Sequence, residues 1–135
     1  MTRKKSTVPG ASHSLLMGLW GKAVRKKWGG ECILDGPAGV CDGKLEAHHI
    51  VRRHTMLTRY YVHNGVTLCQ YHHGMAGGPT TRHEIDERIG PAVLDELSAL
   101  ERESFKDYLI RRGLTRADFL LAAKKQLLDF LGDPL

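Results

Sequence analysis

No stretch of this 135-residue chain comes near the ~20 consecutive apolar residues that a membrane-spanning helix needs, so no bilayer span is expected. The basic start, Met1-Thr-Arg-Lys-Lys-Ser, leads into apolar residues broken by glycine and tryptophan. It lacks the clean core and cleavage site of a secretory signal, and a soluble, cytoplasmic protein is the expectation. Cysteine is scarce, limited to Cys32, Cys41 and Cys69; so few thiols, in odd number, argue against a disulfide framework and for metal ligation. Acidic residues are missing from positions 1–28, which carry seven Lys and Arg. Residues 29–79 carry four charges of each sign, and residues 80–135 nine basic and eleven acidic side chains. The net charge of +5 is therefore an N-terminal feature. A one-signed basic segment suits a polyanionic partner, although a solvated tail has the same composition.

What is present organises into one domain with a modest core, hydrophobic residues making up 41% of the chain. Residues 1–11 show no apolar periodicity and are expected to be a disordered basic arm. From Ser12 to Trp28, apolar residues recur at helical spacing, with Ser12 or Ser14 as cap and Gly29-Gly30 as stop. Lys22 and Lys26 lie off the apolar stripe and are candidate nucleic-acid contacts. Residues 31–43 read as a knuckle loop, Leu45–Val51 and Val66–Leu68 as strands, and residues 70–76 as a short helix. These complete a unit over residues 12–79. Residues 80–135 read as a helical extension packed on it: a helix opened by a capping box at Thr81–Glu84, one from Pro91 to about Arg112, and a last one capped by Thr115. Its stripe of Leu120, Leu121, Leu127, Leu128 and Leu131 suits internal packing, or a homodimer or protein-partner surface.

Two pairs of potential ligands flank the strands. Cys32 and Cys41 bracket the knuckle, and Cys69 and His72 form a C-x-x-H pair where the second strand meets the short helix. Together they are a candidate tetrahedral site for a structural Zn²⁺. Six of the eight histidines fall between positions 48 and 73. Adjacent strand residues point to opposite faces, so His48 and His49 are able to serve different roles. His72 and His73 stand ~100° apart around a helix and likewise face different sites.

The strings Leu45-Glu-Ala-His-His-Ile50, Asn64-Gly-Val-Thr-Leu-Cys69 and Gln70-Tyr-His-His73 resemble those of the HNH endonucleases, over roughly residues 31–77. The resemblance implies an α+β fold: a ββα-metal core braced by structural zinc and flanked by an N-terminal helix and C-terminal helices. It implies a metal-dependent endonuclease that hydrolyses DNA phosphodiester bonds to 5′-phosphate and 3′-hydroxyl ends. In that assignment His49 is the general base, Asn64 the loop clamp, and His48 and His73 the ligands of one catalytic divalent cation (Mg²⁺, Mn²⁺, Co²⁺, Ni²⁺ or Zn²⁺). Many relatives have Asp where His48 stands, a Cys where His72 stands, and some have a third metal histidine where this chain has Gly77. Arg52, Arg53 and Arg59 are candidate phosphate contacts, and Tyr60 or Tyr61 would stack or pack. The Arg52-Arg53 and Thr58-Arg59-Tyr60 strings are loosely similar to phage NinG-type recombination nucleases, which keeps a branched-DNA substrate open. His54, His63 and His83 are expected as surface or loop residues. The rival reading is a zinc-braced nucleic-acid-binding module that does not cut.

Overall fold

A computed structural model describes residues 9–34 and 41–132. Residues 1–8 of the expected arm and 35–40 of the knuckle lie outside that range. Of the arm's described remainder, Ala11 is buried in the core, which corrects the expectation of disorder at that position.

Ser12 accepts the Leu15 N–H and opens helix α1 (His13–Lys27), whose orphan amides need such a cap. The two strands, β1 (Leu45–His49) and β2 (Gly65–Cys69), pair antiparallel with Leu45 opposite Cys69 and His49 opposite Gly65. β1 ends two residues before the expected Val51, because Ile50 and Val51 turn to meet Asn64. The connection between the strands holds a short helix α2 (Met56–Arg59) and a 3₁₀ turn at Val62–Asn64. β2 runs straight into α3 (Gln70–Met75). Beyond lie α4 (Pro79–Ile89), α5 (Pro91–Arg102), α6 (Phe105–Arg112) and α7 (Arg116–Leu131). Among the described residues the chain is thus α+β, with seven α-helices and one two-stranded sheet. No helix among them is long and apolar enough to cross a membrane.

The C-terminal third departs from expectation at three places. α4 starts at Pro79 with Gly78 at its cap, so Thr81 and Glu84 lie inside the helix and form no capping box. Proline at the first helical position needs no amide partner, which lets the helix begin earlier. The helix expected to reach Arg112 breaks at Glu103, which is extended, and restarts with Ser104 accepting the Asp107 N–H. In α7, Thr115 and Asp118 form the reciprocal capping box, but Leu121 is exposed while Leu120 and Leu127 are buried.

Two apolar clusters lie either side of β2. One gathers Ile33, Leu34, Ile50, Val51, Val66 and Leu68 with Ile85 and Leu97 from α4 and α5. The other joins Leu16, Trp20 and Val24 of α1 to Tyr60, Leu120, Ala123 and Leu127. Trp20 and Trp28 also donate their indole N–H groups to the carbonyls of Tyr61 and Gly65, each at 2.9 Å. These bonds tie α1 to the start of β2. Gly65 makes the close approach possible: a Cβ there would lie 2.4 Å from Val24 Cγ2 and 2.8 Å from Trp20 Cζ2. Gly65→Ala is therefore expected to overpack this contact and cost ~1–3 kcal/mol, read as a lower denaturation midpoint, with partial recovery in Gly65→Ala/Val24→Ala. A Gly65→Ala protein as stable as the parent would contradict this packing.

Candidate active site and metal centre

α3 carries two neighbouring histidines into different surroundings. His72 is buried and its Nδ1 lies 3.2 Å from Cys69 Sγ, 3.4 Å from Cys32 Sγ and 3.6 Å from Cys41 Sγ. The four ligand atoms all lie within 4.8 Å of one another. Tetrahedral zinc with ordinary bond lengths places sulfur and nitrogen ~3.5 Å apart, so the donor set has the size of one ion. Cys69 caps α3 by accepting the His72 N–H, which couples the ligand to the helix start. The backbone of Asp42 accepts the Tyr71 N–H and ties the knuckle to the same turn. Gly43 is needed there: its φ is +82°, and a Cβ would meet Gln70 Oε1 at 2.2 Å.

The thiols respond unequally to this crowding. Burial, then hydrogen bonds from Cys32 and Cys69, push Cys41 up to about 12. Burial also works against ionising Cys69, but hydrogen bonds with the His72 and Asp42 backbones outweigh it and bring Cys69 down to about 6. Holding all three as thiolates requires a cation among them. Cys32, Cys41, Cys69 and His72 are thus positioned to bind a metal ion.

His73 turns the other way, into an open cleft of about 600 Å³ lined by Ala47, His48, His49, Arg52, Arg53, His54 and His73. The His48 and His73 rings meet edge to face with centroids 4.9 Å apart. Burial, then the charges of His73, Arg82 and His49, lower His48 to about 4. At neutral pH the ring is therefore uncharged, with one nitrogen lone pair to offer, as a metal ligand requires.

His49 is held on two sides. Its ring stacks on Trp20 with centroids 3.8 Å apart and planes within 8°. Its Nε2 lies 2.9 Å from the Arg59 carbonyl. A carbonyl only accepts, so Nε2 carries the hydrogen and Nδ1 is the basic nitrogen. Burial lowers the His49 pKa; the Arg59 carbonyl opposes this, and the charges of Arg53, Arg59 and His13 add to it. The acceptor is fixed in turn by Asn64, which is fully buried. Asn64 accepts the Val51 N–H at 2.7 Å and donates to the carbonyls of Val51 at 2.9 Å and Thr58 at 3.1 Å.

Other expected site residues find different places. Arg52 and Arg53 are exposed and line the cleft. Arg59 instead folds back, donating to the carbonyls of Arg53 and His54, and so closes its own loop. Lys26 donates to the Phe130 carbonyl at 2.9 Å, satisfying one of the open carbonyls at the end of α7, while Lys22 is exposed on α1 and neither lysine lines the cleft. Tyr60 is buried against His13, while Tyr61 is partly buried, donates its hydroxyl to Glu96 and meets the His63 ring edge to face; neither lines the cleft. His54 lines the cleft, His63 contacts Lys27 Nζ at 2.9 Å, and His83 is exposed beside Glu87. Gly77 is exposed and open, with nothing within 4 Å of a Cβ. Three contributors were not evident in sequence: the Trp20 platform, the Arg59 carbonyl and Arg82, brought near His48 by α4.

The chain matches no protein-family model, no curated protein and no solved structure.

Because Cys32 and Cys69 belong to the sheet's apolar cluster, metal removal is expected to loosen it. If the ion is present at ~1,000 times its dissociation constant, its loss costs ~4 kcal/mol, or roughly 10–15 °C in melting temperature for a domain of this size. Melting with and without a strong chelator, alongside elemental analysis for one equivalent of metal lost in Cys69→Ser, checks this.

Proposed function

We propose that this chain is a metal-dependent endonuclease of the HNH kind, hydrolysing phosphodiester bonds in DNA, with zinc in the Cys32, Cys41, Cys69, His72 cluster as a structural brace. The observation that carries the reading is the state of His49. Its Nε2–H is committed to the Arg59 carbonyl, its plane is held by Trp20, and its basic Nδ1 belongs to a ring lining the cleft with His48 and His73. That is the preparation a general base needs: one tautomer, one orientation and a lone pair available near neutral pH. The strand–loop–strand–helix order, with Asn64 clasping the loop, supports the same reading.

The cleft's residues divide the work. His48 and His73 are the nitrogen ligands for a divalent cation (Mg²⁺, Mn²⁺, Ni²⁺ or Zn²⁺). When bound there, such an ion supplies Lewis-acid stabilisation of charge on the scissile phosphate and the leaving oxygen. His49 Nδ1 takes the proton of the attacking water, and the Arg59 carbonyl holds the imidazolium that results. Arg52 and Arg53 bind backbone phosphates on the exposed rim, and Arg82 adds positive charge beside His48.

Supercoiled plasmid incubated with the protein and Mg²⁺ or Mn²⁺ tests this. Nicking is expected, with a rate ~10²–10⁴-fold lower in His49→Ala and with the metal of the cysteine cluster retained. Cleavage by His49→Ala at the parent rate would remove the base assignment. A parent that binds DNA but nicks with no divalent ion would instead be a zinc-braced binding module.

A further inference from the structure

The sites described so far leave Glu46 without a role, yet it pairs with a histidine of the cleft. Its Oε2 lies 2.7 Å from His73 Nδ1. Strand alternation puts Glu46 on the same side of β1 as His48, two positions on. One face of β1 thus presents both the imidazole that meets His73 and the carboxylate that bonds to it.

We infer that Glu46 is a positioning residue for the cleft's metal site, fixing the tautomer and ring orientation of His73. The inference rests on the nuclease reading above, in which His48 and His73 are ligands. A carboxylate only accepts, so in the neutral ring the hydrogen sits on Nδ1 and Nε2 is the nitrogen left to bind an ion. Carboxylates paired with ligand histidines in this way orient the ring and raise its donor strength. The need is greater here than where three histidines converge, because Gly77, one turn beyond His73, offers no ligand. With two imidazoles, each misoriented ring removes half of the protein's grip. Glu46 does not itself join them in a three-donor group: the one cluster of at least three such donors among the described residues is Cys32, Cys41, Cys69 and His72.

The carboxylate is 40% exposed and outside both apolar clusters, so its replacement is expected to leave the fold intact. The experiment uses the full chain with its zinc in place and Mn²⁺ as probe, a hard ion that does not displace zinc from thiolates. Bound Mn²⁺ is counted by loss of the free-ion electron paramagnetic resonance signal. The His73 tautomer is read from ¹⁵N shifts of its ring in the Mn²⁺-free protein. In Glu46→Ala the Mn²⁺ dissociation constant is expected to rise ~10–100-fold, with the Nε2–H tautomer of His73 appearing. Glu46→Gln, which keeps an acceptor oxygen but no charge, is expected to fall between Glu46→Ala and the parent. Unchanged affinity in Glu46→Ala would overturn the inference. So would weaker binding with an unchanged tautomer, which would make Glu46 a direct ligand. Mn²⁺ binding that survives both His48→Ala and His73→Ala would instead overturn the underlying metal-site reading, whatever Glu46 does.

Discussion

The buried side-chain amide of Asn64 is the constraint on which the cleft depends. It has no access to solvent, so each of its hydrogen-bonding groups must find a protein partner or cost ~1–3 kcal/mol. The partners it finds are Val51, just past the end of β1, and Thr58, just before Arg59. One amide therefore sets both the strand end that carries His49 and the carbonyl that receives His49 Nε2. The backbone bond from Ile50 N–H to the Asn64 carbonyl closes the same loop from the other side. The fifteen residues between β1 and β2 would otherwise be free to move the acceptor away from the imidazole.

The same economy appears in α3. A helix of six residues sends His72 into the cysteine cluster and His73 into the cleft. Its start is held by Cys69, at once the end of β2, the helix cap and a cluster ligand. A metal ion in that cluster therefore stiffens the helix that presents His73. The cysteine cluster and the cleft share no side chain, but both depend on the backbone of α3. Burial of Cys32 and Cys69 in the sheet's apolar cluster extends that stiffening to Val66 and Leu68.

The C-terminal helices are packing elements before anything else. Ile85 and Leu97 complete one cluster, and Leu120, Ala123 and Leu127 complete the other. Most of their apolar stripe is consumed internally, and α7 is joined to α1 by the Lys26 bond to Phe130. A lysine attractive in sequence as a DNA contact is thereby drawn into an intramolecular role. α4 also carries Arg82 to the neighbourhood of His48, so the helical extension helps shape the field around the cleft.

Much of this was readable in sequence where the governing interaction is local. Ser12 and Thr115 as caps, Pro91 at a first helical turn, and the Cys69–His72 spacing all act within three or four residues. The split of His48 from His49, and of His72 from His73, follows from strand and helix geometry alone. The start of α4 and the break at Glu103 are less legible because local signals compete: Pro79 opens α4 ahead of the Thr81–Glu84 pattern, and Ser104 caps a new helix inside one continuous apolar period. Arg59 suits a phosphate contact by sequence, since a guanidinium in a loop shows no partner until folding brings the Arg53 and His54 carbonyls to it. The carbonyl that orients His49, the indole it stacks on and the carboxylate on His73 come from positions distant in the chain. Residue types and spacing determined which groups were available and which could face a common ion. Only tertiary structure decided which nitrogen of each imidazole was left to act, because that depends on a single acceptor brought within 3 Å by packing.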